Sequence, residues 1–375
     1  MDALMLPSNW QRVRLGDVGK PCMCKRVMKH QTTRYGEIPF YKIGTFGNTA
    51  DAFISKKLFL EYKTKYSFPK KGDILISASG TIGRAVIYDG KPAYFQDSNI
   101  VWIDNDETLV KNDFLFYAYS NVKWDTEHTT ILRLYNDNFR NTLIPLPPLN
   151  EQIAIANILS DVDHYLYSLD ALILKKESVK KALSFELLSQ RKRLKGFNQN
   201  WQRVRLGDIC EITTGSLDAN EMVHYGKYRF YTCAKEYYFI DKYAFDTEAI
   251  LISGNGAYVG YVHYYKGKFN AYQRTYVLDN FSEHIIFVKY FLTMFLQSHI
   301  QTNKNEGNTP YIVMATLKDF EIFLPPLNEQ IAIANILSAL DSEIISLKNK
   351  KRQFENIKKA LNHDLMSAKI RVLKK

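Results

Sequence analysis

LPPLNEQIAIANILS, residues Leu146–Ser160, is written a second time without a change at Leu324–Ser338, an offset of 178 positions. Fifteen identities in a row within one chain mark a duplicated unit, since self-similarity at a fixed offset shows how often that unit was used. The same offset relates Val179-Lys180-Lys181-Ala182-Leu183 to Ile357-Lys358-Lys359-Ala360-Leu361, so the segment that follows is duplicated too. Working outward, WQRVRLGD at Trp10–Asp17 recurs at Trp201–Asp208, each time at the entry to a Tyr- and Phe-rich region of poor helical character. Between these markers the copies diverge. Ile74–Ser77 still matches Ile250–Ser253, each followed by paired glycines (Gly80 and Gly83; Gly256 and Gly260) and later by Gln96 or Gln273.

After Pro147-Pro148 and Pro325-Pro326 the pattern turns helical. Asn150 and Asn328 are expected as N-caps, with Glu151 and Glu329 in the first turn, where the helix dipole favours an acid. Each helix should run for about 40 to 45 residues, roughly 60 to 68 Å at 1.5 Å per residue. In the first, Ile155, Leu159, Val162, Leu166, Leu169, Ile173, Leu183 and Leu187 follow a 3,4 spacing interrupted at Lys176 and Lys180. The second gives Ile333, Leu337, Leu340, Ile344, Leu347, Phe354, Leu361 and Leu365, interrupted at Lys351 and Lys358. This is the spacing of a coiled-coil seam. Val179 and Ile357 are expected to bridge the lysine interruptions. Matching seams in one chain have each other as nearest partners, and the order of the segments makes the pair antiparallel, bringing Lys375 near the chain start.

The regions outside the helices are rich in Tyr, Phe, Ile and Val, in short runs bounded by Gly, Asn, Asp and Pro, which predicts strands and turns. Gly72–Ser77 followed by Gly80–Arg84 predicts strand, glycine turn, strand, while Phe114–Ser120 and His284–Gln297 are expected as helices. The fold class is therefore α+β, with two pseudo-symmetric, β-rich globular domains joined by two long antiparallel helices. A length of 375 residues accommodates two cores, since single cores stop growing at about 250 to 300 residues.

A formal charge of +11, from 50 Lys and Arg against 39 Asp and Glu, favours a polyanionic partner. No run of about eighteen consecutive apolar residues suggests a membrane span, and Met1–Trp10 lacks the plan of a signal peptide, so a cytoplasmic protein is expected. Cys22, Cys24, Cys210 and Cys233, four in a long chain expected without an export signal, make no disulfide framework and are expected as reduced thiols, and the CxC of Cys22 and Cys24 lacks the CxxC spacing of a zinc site. No catalytic signature is found: there is no G-x-x-x-x-G-K-[ST], H-E-x-x-H or strand-borne G-x-G-x-x-G. Asp51 with Glu61-Tyr62-Lys63 imitates a nuclease triplet, but such short matches are common in a charged chain.

Two variable regions separated by near-identical helical segments opening on LPPLNEQ resemble the specificity subunits of type I restriction-modification systems, over the whole chain. The LPP-L-EQ-IA entry and the GDIL-S-GTIG run (Gly72–Gly83) carry the resemblance, whereas the second copy departs from it over Glu248–Gly260. The resemblance implies target-recognition domains at residues 1–146 and 196–324 and conserved spacer helices at 147–195 and 325–375. Each domain would read one half of a bipartite, asymmetric site in double-stranded DNA, and the helices would set the gap. It implies docking of two modification (methyltransferase) subunits and of restriction (motor-nuclease) subunits. S-adenosylmethionine, ATP and magnesium would bind those partners, leaving this chain non-catalytic and without a cofactor. The alternatives are a DNA reader in a methylation-only complex and a coiled-coil adaptor with no DNA role.

Base reading needs paired donors and acceptors such as Arg, Asn and Gln, while Lys, Ser and Thr anchor phosphates. The polar loop clusters supply Lys42, Thr45, Ser79, Thr81, Arg84, Gln96, Asp97 and Asn99 in the first domain, and Asn255, Tyr258, Gln273 and Arg274 in the second.

Overall fold

The computed structural model describes residues 6–128, 132–303 and 310–372. Two helices of 40 residues dominate it, Leu149–Leu188 and Leu327–Met366. Both begin one residue before the expected asparagines, which corrects the capping assignment. The Pro148 carbonyl accepts from the Glu151 and Gln152 amides (2.9 and 3.0 Å), and Pro326 accepts from Glu329 and Gln330 (2.9 and 3.1 Å). Proline suits this boundary, because it has no N–H to leave unpaired. Asn150 lies inside the first turn, where its Oδ1 accepts from the Glu151 amide at 2.9 Å.

The chain divides into two compact units, residues 1–170 with 350–375, and residues 171–349, so each long helix is shared between them. In unit 1 a four-stranded sheet has the order Gly19–Met23, Ile100–Asn105, Ile74–Ser77, Ala85–Ile87, and a three-stranded sheet has the order Phe53–Ile54, Ile38–Tyr41, Tyr94–Phe95. Unit 2 carries a single six-stranded sheet, in the order Glu211–Thr214, Thr275–Asp279, Phe245–Ser253, Val262–Ala271, Tyr228–Tyr231, Tyr238–Ile240. The wiring is the same. Strand Val262–Ala271 plays the roles of both Ala85–Ile87 and Tyr94–Phe95, pairing antiparallel with one neighbour and parallel with the other. In unit 1 that strand is broken at Asp89-Gly90-Lys91-Pro92, where Gly90 sits at φ +85° and Pro92 has no N–H for a ladder.

Each unit is closed by a two-stranded clasp built from the duplicated markers. Gln11–Arg14 pairs antiparallel with Leu143–Leu146, and Gln202–Arg205 with Glu321–Leu324. The clasp places Trp10 against the buried carboxylate of Glu151, to which its indole N–H donates at 3.0 Å. Arg371 completes that cluster, with Nε 2.7 Å from Glu151 Oε1 and Nη2 3.0 Å from Oε2. Unit 2 repeats it with Trp201 (3.3 Å) and Arg193 (2.8 and 2.7 Å) on Glu329. Arg371 also reaches Asn9 at 3.2 Å, which brings the end of the second helix to the chain start; Lys375 itself lies outside the described residues.

Helix ends enter both cores. In unit 1, Ile155 and Leu159 from one helix and Leu365 and Met366 from the other pack with Ile76, Phe114 and Phe139. In unit 2, Leu187 and Leu188 join Ile333 and Leu337 against Ile250 and Phe287. Burying each such side chain contributes about 1.5 to 3 kcal/mol. An eighteen-residue window of Leu327–Met366 is long and apolar enough to cross a bilayer by composition alone, with a mean hydropathy of 1.3. Here its Ile333, Ala334 and Leu337 belong to the core of unit 2.

Within each unit the helices run antiparallel. In unit 1 Lys358 pairs with Asp163 and Lys351 with Asp170, and the Tyr165 and Phe354 rings meet at 4.6 Å. In unit 2 Lys176 pairs with Glu343, Lys180 with Asp341 and Lys348 with Glu177. Leu159, Leu169, Leu337 and Ile344 of the seam are buried, and Leu166, Leu183, Leu347 and Leu361 are half-buried. Val179 and Ile357 do not bridge it: both are exposed. The seam lysines instead keep their own positions, laying aliphatic stems in the row while each ammonium reaches a carboxylate of the facing helix.

The carboxylates Asp163 and Asp341 also tie the helices to their domains. Tyr117 donates to Asp163 at 2.8 Å and Tyr290 to Asp341 at 2.6 Å. Burial opposes ionisation of Asp341, but hydrogen bonds from Lys180 and Tyr290 outweigh it and hold the carboxyl below the usual range. Both tyrosines are pushed up, first by burial and then by the carboxylate.

Candidate nucleic-acid interface

The two hairpins opening on the duplicated I-L-I-S run build the same scaffold. In unit 1 the Ser77 amide donates to the Arg84 carbonyl and the Gly83 amide to the Ser77 carbonyl (3.0 and 2.9 Å); in unit 2 Ser253 bonds Tyr261 and Gly260 bonds Ser253 (3.0 and 2.7 Å). The turn requires φ of +82° at Gly83 and +80° at Gly260, a region that glycine enters without penalty.

Two further segments cross each hairpin. The Ala78 amide donates to the Asn99 carbonyl, and the Leu134 amide to the Ala78 carbonyl (2.8 and 2.9 Å). Unit 2 has Gly254 on Arg274 and Ile312 on Gly254 at the same two distances. Isolated bridges join Ser79 to Arg133 and Asn255 to Tyr311. Matched backbone positions thus present different side chains: Ser79 against Asn255, Asn99 against Arg274, Arg133 against Tyr311. Arg133 and Tyr311 escaped the sequence reading, although the 178-residue offset that relates the long helices also relates these two positions.

All eight candidates of the first domain fall on neighbouring loops, and each is held by a nearby protein group. Ser79 donates to Asn99 Oδ1 at 2.9 Å, Gln96 Oε1 accepts from the Ile43 amide at 2.9 Å, and Thr45 Oγ1 accepts from the Lys42 amide at 3.1 Å. Arg84 donates to the Phe46 carbonyl at 3.0 Å, and the Thr81 carbonyl accepts from Ser77. Arg26 pairs with Asp97 at 2.9 Å, while Arg133 Nη2 donates to Ser98 O and Oγ at 3.2 and 2.7 Å. Lys42 pairs with Asp51 at 2.8 Å and Lys65 with Glu61 at 3.0 Å, while Lys63 lies over the Phe59 and Phe68 rings, so both acids of the nuclease-like triplet are paired with lysines other than Lys63. A cavity of about 280 Å³ opens among Ile43, Phe46, Ser77, Gly80, Thr81 and Arg84.

The second domain's candidates lie around the matching loops with fewer internal partners. Gln273 donates to Asp218 at 2.9 Å and Lys235 lies over the Tyr258 ring at 5.1 Å. Arg274 is exposed, and neither its guanidinium nor the Asn255 amide group has a hydrogen-bond partner among the described residues. His263 bonds the Ala234 carbonyl at 2.9 Å; burial lowers its pKa, only partly offset by that bond.

Among the described residues no cluster of three or more His, Cys, Asp or Glu side chains could hold a metal ion. All four cysteines are free thiols; burial pushes the Cys24 thiol up to about 12.

The chain is 64% identical over 148 residues to a Haemophilus influenzae protein described as type I restriction enzyme specificity subunit S.HindORF215P, the match covering 39% of this chain and 38% of that one. It is 37% identical over 171 residues to the EcoDI specificity subunit of Escherichia coli, covering 45% and 37%. These two matches span well under half of either relative. The MjaVIII specificity subunit of Methanocaldococcus jannaschii is 26% identical over 99% of this chain and 95% of its own. The fold is similar to that of a solved type I restriction-modification S subunit from M. genitalium, with a TM-score of 0.65 and 18% identity over 97% and 98% of the two chains. Residues 7–176 and 198–356 each match the model of the type I restriction-modification DNA specificity domain, and the chain belongs to that family.

Proposed function

We propose that the chain is the DNA-reading subunit of a type I restriction-modification complex, each unit reading one half of a bipartite, asymmetric site. The observation that carries this is the matched hairpin scaffold: one backbone frame, built twice, presents different side chains in its two copies. A reader of unlike half-sites requires that arrangement. Loop side chains such as Asn255 and Arg274 suit base edges, Asn pairing with adenine and Arg with guanine.

The antiparallel helices set the gap between half-sites, each unit fixing its own stretch of the pair through lysine–carboxylate contacts. The same helices dock two modification subunits. Leu149 and Ile153, four residues apart on one helix face, are exposed and matched by Leu327 and Ile331, so two equivalent apolar patches are available to two copies of one partner. Restriction subunits join that assembly in the cytoplasm. S-adenosylmethionine, ATP and magnesium belong to the partners, and this chain positions them without catalysing.

The test is the methylated motif of a host that carries the chain with its modification subunit, read by single-molecule sequencing. A motif of two half-sites around a fixed gap is expected. Replacing residues 196–324 with the corresponding domain of a relative should change one half-site only, and removing one turn (four residues, about 6 Å) from both helices should shorten the gap by about one to two base pairs. A continuous motif, or none, sinks the reading.

A further inference from the structure

Arg229 lies on strand Tyr228–Tyr231 of unit 2, between two rings: its guanidinium carbon is 4.2 Å from the Tyr237 centroid and 4.4 Å from that of Tyr265. Nη1 donates to the Tyr231 hydroxyl at 3.3 Å, and no carboxylate pairs with Arg229 among the described residues. The side chain is only half-buried. A guanidinium held against two rings is restrained in advance and keeps most of its five donors unused. Such a group suits an oxyanion with several acceptors.

The surroundings run on to the reading loops. Tyr231 meets His263 at 5.2 Å and His263 meets Tyr261 at 4.7 Å, while Lys235, on the loop that follows the Arg229 strand, covers Tyr258. At the matched position unit 1 has no counterpart. Tyr225-Gly226-Lys227-Tyr228-Arg229-Phe230-Tyr231 matches Tyr35-Gly36-Glu37-Ile38-Pro39-Phe40-Tyr41, and both strands make the same parallel pairing, so Pro39 stands where Arg229 does. There a cavity of about 440 Å³ bounded by Pro39, Tyr41, Tyr88 and Phe95 replaces the stacked rings.

We infer that Arg229 grips a backbone phosphate of duplex DNA beside the half-site read by unit 2, an anchor that unit 1 lacks. This rests on the DNA-reading function proposed above. A phosphate contact supplies affinity without sequence information, so its loss should weaken every duplex alike.

The experiment measures binding of the full chain, with its modification subunit, to cognate and scrambled duplexes over a salt series. Arg229→Ala is expected to weaken both duplexes about ten-fold and to lower the slope of log affinity against log salt by about one, with the methylated motif unchanged. Arg229→Lys, which keeps the charge but not the planar fork, should restore the slope and only part of the affinity. Unchanged affinity and slope in Arg229→Ala would overturn the inference, and so would relaxation of one base of the motif. If Arg229→Ala does not fold, Arg229→Lys against Arg229→Gln decides: equal slopes overturn it. Absence of salt-dependent binding by the wild-type complex would instead count against the function itself.

Discussion

The two matched hairpin frames share a backbone plan and differ in how much of their polar chemistry is already spent. In unit 1, Ser79, Arg84, Gln96, Asp97 and Arg133 bond to neighbouring protein groups, and the proline break splits the sheet in two. In unit 2 the sheet is continuous, and Asn255 and Arg274 are without side-chain partners among the described residues. Duplication conserved what the hairpin needs in order to fold, and let vary what it presents. A side chain engaged at home keeps its remaining donors for a ligand, but it must offer them from a fixed position.

Two substitution pairs and one titration probe that comparison. The largest effect is expected from the clasp: Glu329→Ala leaves Arg193 and the Trp201 indole without their shared acceptor and should cost unit 2 about 3 kcal/mol, with Glu151→Ala doing the same to unit 1. Denaturant unfolding followed by ring fluorescence would show it, and a loss under 1 kcal/mol in either would mean the clasps are not equivalent. Next come the turn glycines. At Gly83 a Cβ would fall 2.1 Å from Trp124 Nε1 on a backbone at φ +82°, whereas at Gly260 it meets the flexible ends of Ile300 (2.5 Å) and Gln297 (2.8 Å). Gly83→Ala should therefore cost about 2 kcal/mol and Gly260→Ala less, and the reverse order in melting temperature would refute the matched-turn account.

The smallest effect is titration. His263 faces Leu251 across its hairpin, as Val86 faces Leu75 in unit 1, so only unit 2 carries a half-buried imidazole there. Its folded pKa lies below the unfolded value, so the unfolded chain binds the extra proton first. Its contribution is therefore complete above about pH 6.5 and is lost as pH falls from there through the lowered folded pKa. Unfolding midpoints of unit 2 between pH 7 and pH 5 should drop in the wild type and flatten in His263→Val; parallel profiles would remove His263 as the cause.

The sequence was most informative where repetition constrained it. The 3,4 spacing from Ile155 to Leu187 and from Ile333 to Leu365 foretold two long helices, and segment order foretold their antiparallel course. It misled at Val179 and Ile357, because periodicity treats a lysine as a gap in an apolar row. A lysine whose stem lies in the row and whose ammonium reaches Asp163 or Asp341 across it leaves no such gap. It also missed Arg133, Tyr311 and Arg229, none of which lies in a recognisable motif.

The sequence by itself determined the duplicated plan, the α+β class, the two helices and the family resemblance, since each is written in local spacing or in long identities. Only the tertiary structure decided that Glu151 meets Arg371 and Glu329 meets Arg193, which loop residues face one another, and that Arg229 is stacked where Pro39 leaves a cavity. Those facts depend on which distant strands pair, and strand register is fixed by packing across the whole sheet, which no stretch of sequence contains.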